Sequence, residues 1–566
     1  MSKNNGAIRL IVIILLLTVV FQIPGTATAA ENSTDITLWF TVYGSSQEGL
    51  QSADVACWYS AKEKKYFLFL PSMADPSELQ VHFADGLSVS AGSQKLRNGG
   101  VTQVFQPKKT VSVRINGKSY PIQVMQSSGI PALWIKTEKR TLKAIHAKKT
   151  NKEPAKLLML SPEGQTVYRG ALSHLKARGH YSFNLEKKPY QIKLDTSADL
   201  LGFGSAKKWI LLANTPDYTL LRNTITFDMA SDAGLQYSPA NAHVDLYIDG
   251  EYKGVYLLTD KIEVGKDRVA ISDLQKATER LNDKPLDQYK RFGNRNYKKD
   301  TGKGYRIPID PLDITGGYLL ELDYPNRYID AASGFVTKRG QAVNIKEPEL
   351  ASEKQVYWIR SMVQAFENAL RANNGTDKAT GKYYADFIDM DSFVKKFILE
   401  EVVKNLDANK SSQYFYKPPD HISDRLFAGP AWDYDSALGN FAPQYNPKFM
   451  LPQNLCAGTD TAMGYYWWSA LYRQPDFYSE VLRVYHEVYV PLLNVLAGSA
   501  EGTGRLMSVD AYAKKIEAAT AMNFIRWPMV KNRSNHVNAG TTYQDQIKHL
   551  KDFITKRAMF LDATWK

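Results

Sequence analysis

NLDANKSSQYFYK (residues 405–417) and GPAWDYDSALGN (residues 429–440) carry the reading of this 566-residue chain. Phe393, Phe397, Ile398 and Val402 recur at helical spacing just before the first stretch, so Asp407 falls where a helix ends. Gln413 to Tyr416 and Arg425 to Phe427 read as strands around a Pro-Pro-Asp turn. The order is helix, acidic loop, hairpin, acidic loop. Such a hairpin returns both loops to one end and sets their carboxylates on a shared cleft. Phosphoryl transfer needs that arrangement. One carboxylate orients or deprotonates the attacking hydroxyl, and another holds magnesium against nucleotide phosphates. An Asp at a helix end is also an ordinary cap, and WDYD an ordinary turn, so these residues alone leave a purely structural reading open. GxGxxG, HRD and DFG are all missing, which excludes an ordinary protein kinase.

Upstream, Leu157 to Leu160 and Thr166 to Leu175 read as strands, followed by the basic turn Lys176-Ala177-Arg178-Gly179-His180. Lys188 to Asp195 is a further strand and carries Lys193. Asp217 is placed to cap a helix over Tyr218 to Ala233, with Gly234 as its C-terminal glycine. Asp249-Gly250 joins His243–Ile248 to Tyr252–Leu258 as a hairpin. Strand, basic-glycine turn, lysine-bearing strand, helix and hairpin is the element order of a kinase small lobe. Residues 276–313 are polar and basic and read as an insertion or mobile loop. Gly317 to Asp323 is a strand. Val356, Ile359, Val363, Phe366 and Leu370 mark a helix face. The last hundred residues or so read as mostly helical. There Tyr465-Tyr466-Trp467-Trp468 reads as core, with a glycan-stacking platform as the alternative.

The N-terminal quarter is different. Short alternating runs between about 35 and 130, with Gly, Pro and Asn between them, predict an all-β sandwich. It holds no catalytic constellation, so its expected work is binding, spacing or anchoring. Before it, Lys3 and Arg9, an apolar run from Ile11 to Phe21 and small residues through Ala30 read as a secretory signal. A retained anchor is the alternative. The expected division is therefore 1–30 signal, 31–131 sandwich of Ig-like type and 132–566 catalytic domain. A hydrophobic share of 44% beside 23% charged residues marks a globular chain rather than a disordered one. The net charge of +13 suits anionic partners. Nucleic acid is a poor match for an exported protein. A cell-envelope polymer, acidic protein substrates and nucleotide phosphates fit better. Cys57 and Cys456 fall in different expected domains, and small buried side chains are the preferred reading over a disulfide.

The stretches KARGHYS, KKPYQIKLD, LLGFGSAKKWILLAN, LLRNTITFDMA, VDLYIDGEYKGVYLLTDKIEV, GGYLLELD, NIKEPE, NLDANKSSQYFYK and GPAWDYDSALGN follow one another over about residues 160–440. In that order they resemble the CotH family, named for spore-coat protein H, whose members are kinase-like proteins with a divergent active site. The helical tail through Asn523–Pro528 is similar to the family too. The resemblance implies an α+β, two-lobed kinase-like domain with a helical C-terminal part, using ATP and Mg2+. It implies phosphorylation of Ser or Thr on surface or spore-coat proteins. By position, Asp407 would be the catalytic aspartate. Asp433 would be a metal ligand, with Asp435 a second candidate. Lys193 would bind phosphate, with Lys188 the weaker choice, and Arg178 and Gly179 would belong to the loop over the phosphates. Asp228 would pair with the lysine. Two positions depart from the family pattern: His180 follows Arg178-Gly179, and Ser412 stands where an Asn metal ligand is usual. Transfer of AMP or glutamate on the same fold, and a non-catalytic adhesin or coat-assembly role, are the competing readings.

Overall fold

A computed structural model describes residues 38–44, 51–294, 296–441, 451–459, 467–530 and 536–566. The expected signal segment lies outside them, as do Tyr465 and Tyr466.

The N-terminal region is β-rich. One sheet orders its strands Gln51–Ala56, Leu38–Gly44, Leu79–Phe83, Gly100–Thr102. A second runs Trp58–Ser60, Lys65–Leu70, Lys118–Gln126, Thr110–Ile115, Val89–Ala91, Gln94–Lys95. Strict alternation in Thr110–Ile115 turns Val111, Val113 and Ile115 inward. Asn116 and Gly117 both adopt positive φ, the geometry of a tight hairpin turn. Phe40 and Val42 from one sheet share a core with Leu68, Val113 and Val124 from the other. That core also includes Trp134, Tyr247, Tyr252 and Met522 from beyond residue 131. Tyr247 donates its hydroxyl to the Phe69 carbonyl at 3.0 Å. A cut at 131 would therefore expose three large aromatic rings.

Next comes a closed seven-stranded barrel in the order Ala132–Thr137, Glu153–Leu160, Thr166–Ala177, Tyr190–Asp199, Ser205–Leu212, Glu251–Asp260, Asn241–Ile248. The last strand closes on the first by parallel pairing, Ala132 opposite Asp245. Register shifts near His174 and Lys193 bend the strands, as closure requires. Asp249 and Gly250 both have positive φ, as an Asp-Gly hairpin turn demands. The helix expected from Tyr218 begins later, at Arg222. The reason is that Asp217 accepts the amides of both Thr219 and Arg222 at 2.9 Å, which holds residues 217–221 in a turn. Gly234 closes this helix with φ +77.

The third layer is a seven-stranded sheet: Arg291–Phe292, Thr301–Tyr305, Ser333–Val336, Ala342–Glu347, Tyr318–Leu322, Gln413–Lys417, Phe427–Ala428. Its edge strand Arg291–Phe292 and the neighbouring Thr301–Tyr305 come from the segment read as a loop. Lys303 carries the correction: it is buried, and its ammonium bonds the carbonyl of Tyr328. Helix Glu353–Arg371 opens with a Ser352/Gln355 capping box and buries its expected apolar face. Helix Met390–Val403 packs beside it, and Phe366 meets Phe393 edge to face. The C-terminal part is helical, with Val509–Arg526 and Tyr543–Thr564 its longest members. Trp467 and Trp468 are buried, and Trp468 donates to the Ala408 carbonyl at 3.0 Å, so they are core. Both cysteines are free; Cys456 is buried and Cys57 half-buried.

Candidate functional site

Helix Met390–Val403 stops because Lys404 adopts the left-handed conformation, φ +49. The Asn405 side chain then accepts the Asp407 amide at 3.0 Å and fixes the first acidic turn. Ser412 and Asp433 are also left-handed, at φ +57 and +70. Non-glycine residues seldom hold that geometry without support from their surroundings. Here the support is visible. Ser412 donates to the Asp433 carboxylate at 3.0 Å, tying the two acidic loops together.

The second loop is anchored on three sides. Its Tyr434 amide donates to Asn223 at 2.8 Å on the barrel's helix. The Tyr434 hydroxyl donates to Glu400 at 2.8 Å and accepts from Lys396 at 2.7 Å, all three buried. Arg222 reaches the carbonyls of Ala437 and Leu438 at 3.0 and 3.3 Å while paired with buried Asp217. Beneath the first loop, Arg557 pairs with Glu401 at 2.7 Å. Removing one partner of such a buried pair costs about 3–5 kcal/mol, because the other charge is left without compensation.

Three carboxyls crowd these loops. Burial, and after it the charge of Asp433, pushes Asp407 up to about 6. Burial, again followed by Asp433, pushes Asp435 up to about 8. Tyr324 donates its hydroxyl toward Asp407 at 3.4 Å. Among the described residues no three His, Cys, Asp or Glu side chains form a ready cage for a metal. Magnesium asks for less: one or two carboxylates, the rest phosphate oxygens and water. Crowded carboxyls, hard oxygen donors that raise one another's pKa, fit that demand.

Beside these loops lies a cleft of about 720 Å³ between the barrel and the seven-stranded sheet. Its barrel wall is basic. Lys193 stands directly opposite Lys208, and His174 directly opposite Lys193, on three neighbouring antiparallel strands. Like charges facing across strands are destabilising. Burial, then the charge of nearby lysines, holds His174 neutral, down to about 4. Lys208 reaches Glu263 at 2.8 Å. Arg178 lies 5.5 Å above the Trp432 ring. Burial pulls the Arg178 pKa down, and Asp433 is the leading charge that opposes this. Gly179 has φ +93, and a β-carbon there would collide with the Ser182 hydroxyl. On the opposite wall Lys346 pairs with nearly buried Glu321 at 3.0 Å.

Asp407, Asp433, Asp435, Ser412 and Arg178 thus come together, and Lys193 lines the adjoining cleft. Asp228 does not join them. Its two oxygens accept from Asn241 at 2.9 Å and Tyr512 at 2.6 Å, so the expected pairing with Lys193 is not made. Lys188 is also spent elsewhere, on the carbonyls of Phe183 and Leu185 at 2.6 and 3.0 Å. Sequence reasoning overlooked Lys208, Lys346 and Tyr324: Lys208 takes its place by strand register and the others by tertiary packing.

The sequence model of the family described as CotH kinase protein matches residues 175–561. The chain belongs to the CotH kinase family. Its match begins at the basic turn and runs through both acidic loops to the last helix. The N-terminal β-rich region therefore lies wholly outside the matched family domain. No curated protein matches the sequence.

Proposed function

We propose that this CotH-family protein is an exported, ATP- and magnesium-dependent transferase. It moves the terminal phosphoryl group onto Ser or Thr hydroxyls of surface or coat proteins, within a two-lobed kinase-like domain. The observation that carries this reading is the pairing of a lysine-lined barrel wall with a crowded carboxylate loop across one cleft. A cleft of this size suits a nucleotide-sized ligand.

Lys193 and Lys208 take the phosphates, with Arg178 closing over them from the glycine turn. Asp433 and Asp435 would hold magnesium, which supplies charge neutralisation at the phosphates. Asp407 faces the acceptor. With its carboxyl near 6, it is mostly ionised at neutral pH and can take the hydroxyl proton. The acceptor oxygen bonds to phosphorus as the bond to the ADP oxygen breaks, and the proton goes to Asp407. Export rests on the basic, apolar and small-residue run of residues 1–30. Among the described residues no helix is long and apolar enough to cross a membrane. The N-terminal β-rich region is proposed to hold the protein near its targets, with an anionic envelope polymer as partner.

Intact-mass analysis tests the reaction. Full-length protein with ATP and magnesium should gain phosphate increments on itself or on envelope proteins of the producing cell. Increments of AMP or glutamate would replace this transfer with another, and no increment at all would leave a binding role.

A further inference from the structure

On another face of the barrel, a cavity of about 730 Å³ opens between the strand Gln51–Ala56 and the barrel's first three strands. Four cationic side chains line it: Lys136, Arg140, Lys156 and Arg169. Lys136 and Lys156 face each other directly across antiparallel strands. That arrangement costs stability, and no ion pair of the described residues relieves either lysine. The cavity has two carboxylates, and both are engaged. Asp54 accepts the Thr41 hydroxyl at 3.0 Å. Asp249 accepts the Thr137 amide and hydroxyl at 2.8 and 2.7 Å and lies 3.8 Å from Arg140.

The backbone supplies a second, independent observation. Gln51–Ala56 is the edge strand of its sheet. Ala56 turns its amide away from the sheet, to the Gly250 carbonyl at 2.9 Å. Backbone direction alternates along an antiparallel strand, and this one pairs without a register shift, so the amides of Ser52 and Asp54 point the same way. Ser52 and Asp54 both line the cavity. An unpaired strand edge is a template for another strand.

We infer that this cavity is a docking site for an extended acidic polypeptide, which adds a strand to the Ser52–Asp54 edge and sets its carboxylates on the Lys136–Lys156 row. Backbone pairing would give such a segment its direction, and the facing Lys136 and Lys156 its preference for acidic side chains. That the segment belongs to a transferase substrate rests on the proposed function; the seat itself does not.

Binding of a fluorescent, glutamate-rich decapeptide to the full-length protein, without nucleotide, tests it by anisotropy. Three results are expected together. Lys136→Glu/Lys156→Glu should weaken binding at least tenfold. Ser52→Pro should weaken it severalfold, because proline removes an outward amide while an edge strand tolerates the ring. Raising salt should weaken it further. Unchanged binding in the double lysine variant would overturn the site. Equal competition by inorganic polyphosphate, with no effect of Ser52→Pro, would show a general polyanion groove and overturn the strand-addition proposal. Since no nucleotide is present, Asp433→Asn should bind the peptide like the parent. A joint loss would assign the peptide to the cleft instead.

Discussion

The two walls of the cleft hold opposite charge by different means. On the barrel wall, Lys193 and Lys208 are fixed by strand register; their backbone would pair the same way with any side chain. On the loop wall, Asp407, Asp433 and Asp435 sit on irregular backbone. Left-handed residues and a buried lattice of Asn223, Arg222, Glu400 and Lys396 hold them. One wall gets its geometry from regular hydrogen bonding, the other from buried side chains that reach in from neighbouring elements. Substitutions on the ladder should therefore change charge alone. Substitutions on the loops change charge and risk geometry as well. Lysine faces lysine on one wall and carboxyl crowds carboxyl on the other, so a phosphate chain carrying a divalent cation, as proposed above, would complement both.

The largest expected effect tests the loop wall. Asp407→Asn should slow transfer about 10²–10⁴-fold while nucleotide affinity stays close to the parent, as intact-mass time courses and calorimetry would record. Equal loss of both would break the division of labour between the acidic residues. Asp433→Asn should instead weaken magnesium-dependent nucleotide binding. Loss of one charge-assisted contact is worth about 1.5–3 kcal/mol, or roughly ten- to a hundredfold in affinity. Binding without magnesium should change little. On the ladder, Lys193→Met should lower nucleotide affinity yet raise the thermal midpoint of the ligand-free protein, since a like-charge pair of about 0.2–1 kcal/mol disappears. A lowered midpoint would mean the lysine row is not a stored repulsion.

A pH slope tests the loop wall a second time. The Asp435 carboxyl titrates near 8 in the fold against an ordinary 3.8. Between those values the native state binds more protons than the unfolded chain, so stability should fall as pH rises from about 4 to 8. Asp435→Asn should flatten that slope in thermal melts across the range.

Much of this was readable in the chain. Helix–loop–hairpin–loop around Asp407 and Asp433 follows from periodicity and turn residues, because those contacts lie within a short span. The Asp249-Gly250 hairpin and the apolar face of Glu353–Arg371 are equally local. What escaped is long-range. Asp228 looked available on a helix, but its partner Tyr512 lies 284 residues away. Lys208 was passed over because its position opposite Lys193 is a matter of register. Periodicity tells which face a residue takes but not which residue it meets. Residues 276–313 looked like loop because their strands are short and polar; they are ordered by the sheet they join. Asp217 was read as a simple cap, whereas its carboxylate is shared between two amides and Arg222.

Lys187, in the segment that links the basic turn to the Lys193 strand, is buried, and its ammonium is held by the Val255 carbonyl at 2.6 Å and by Asn523 at 2.9 Å. Asn523 also takes the Val255 amide at 3.1 Å. This single C-terminal side chain thus satisfies two donors in the barrel, 336 and 268 residues earlier in the chain. During synthesis the barrel strands emerge long before residue 523. Until then the Lys187 ammonium lacks its one side-chain hydrogen-bond acceptor among the described residues and has reason to stay in water. Burial of that charge, and with it the final seating of the barrel against helix Val509–Arg526, must wait for residue 523 to be made.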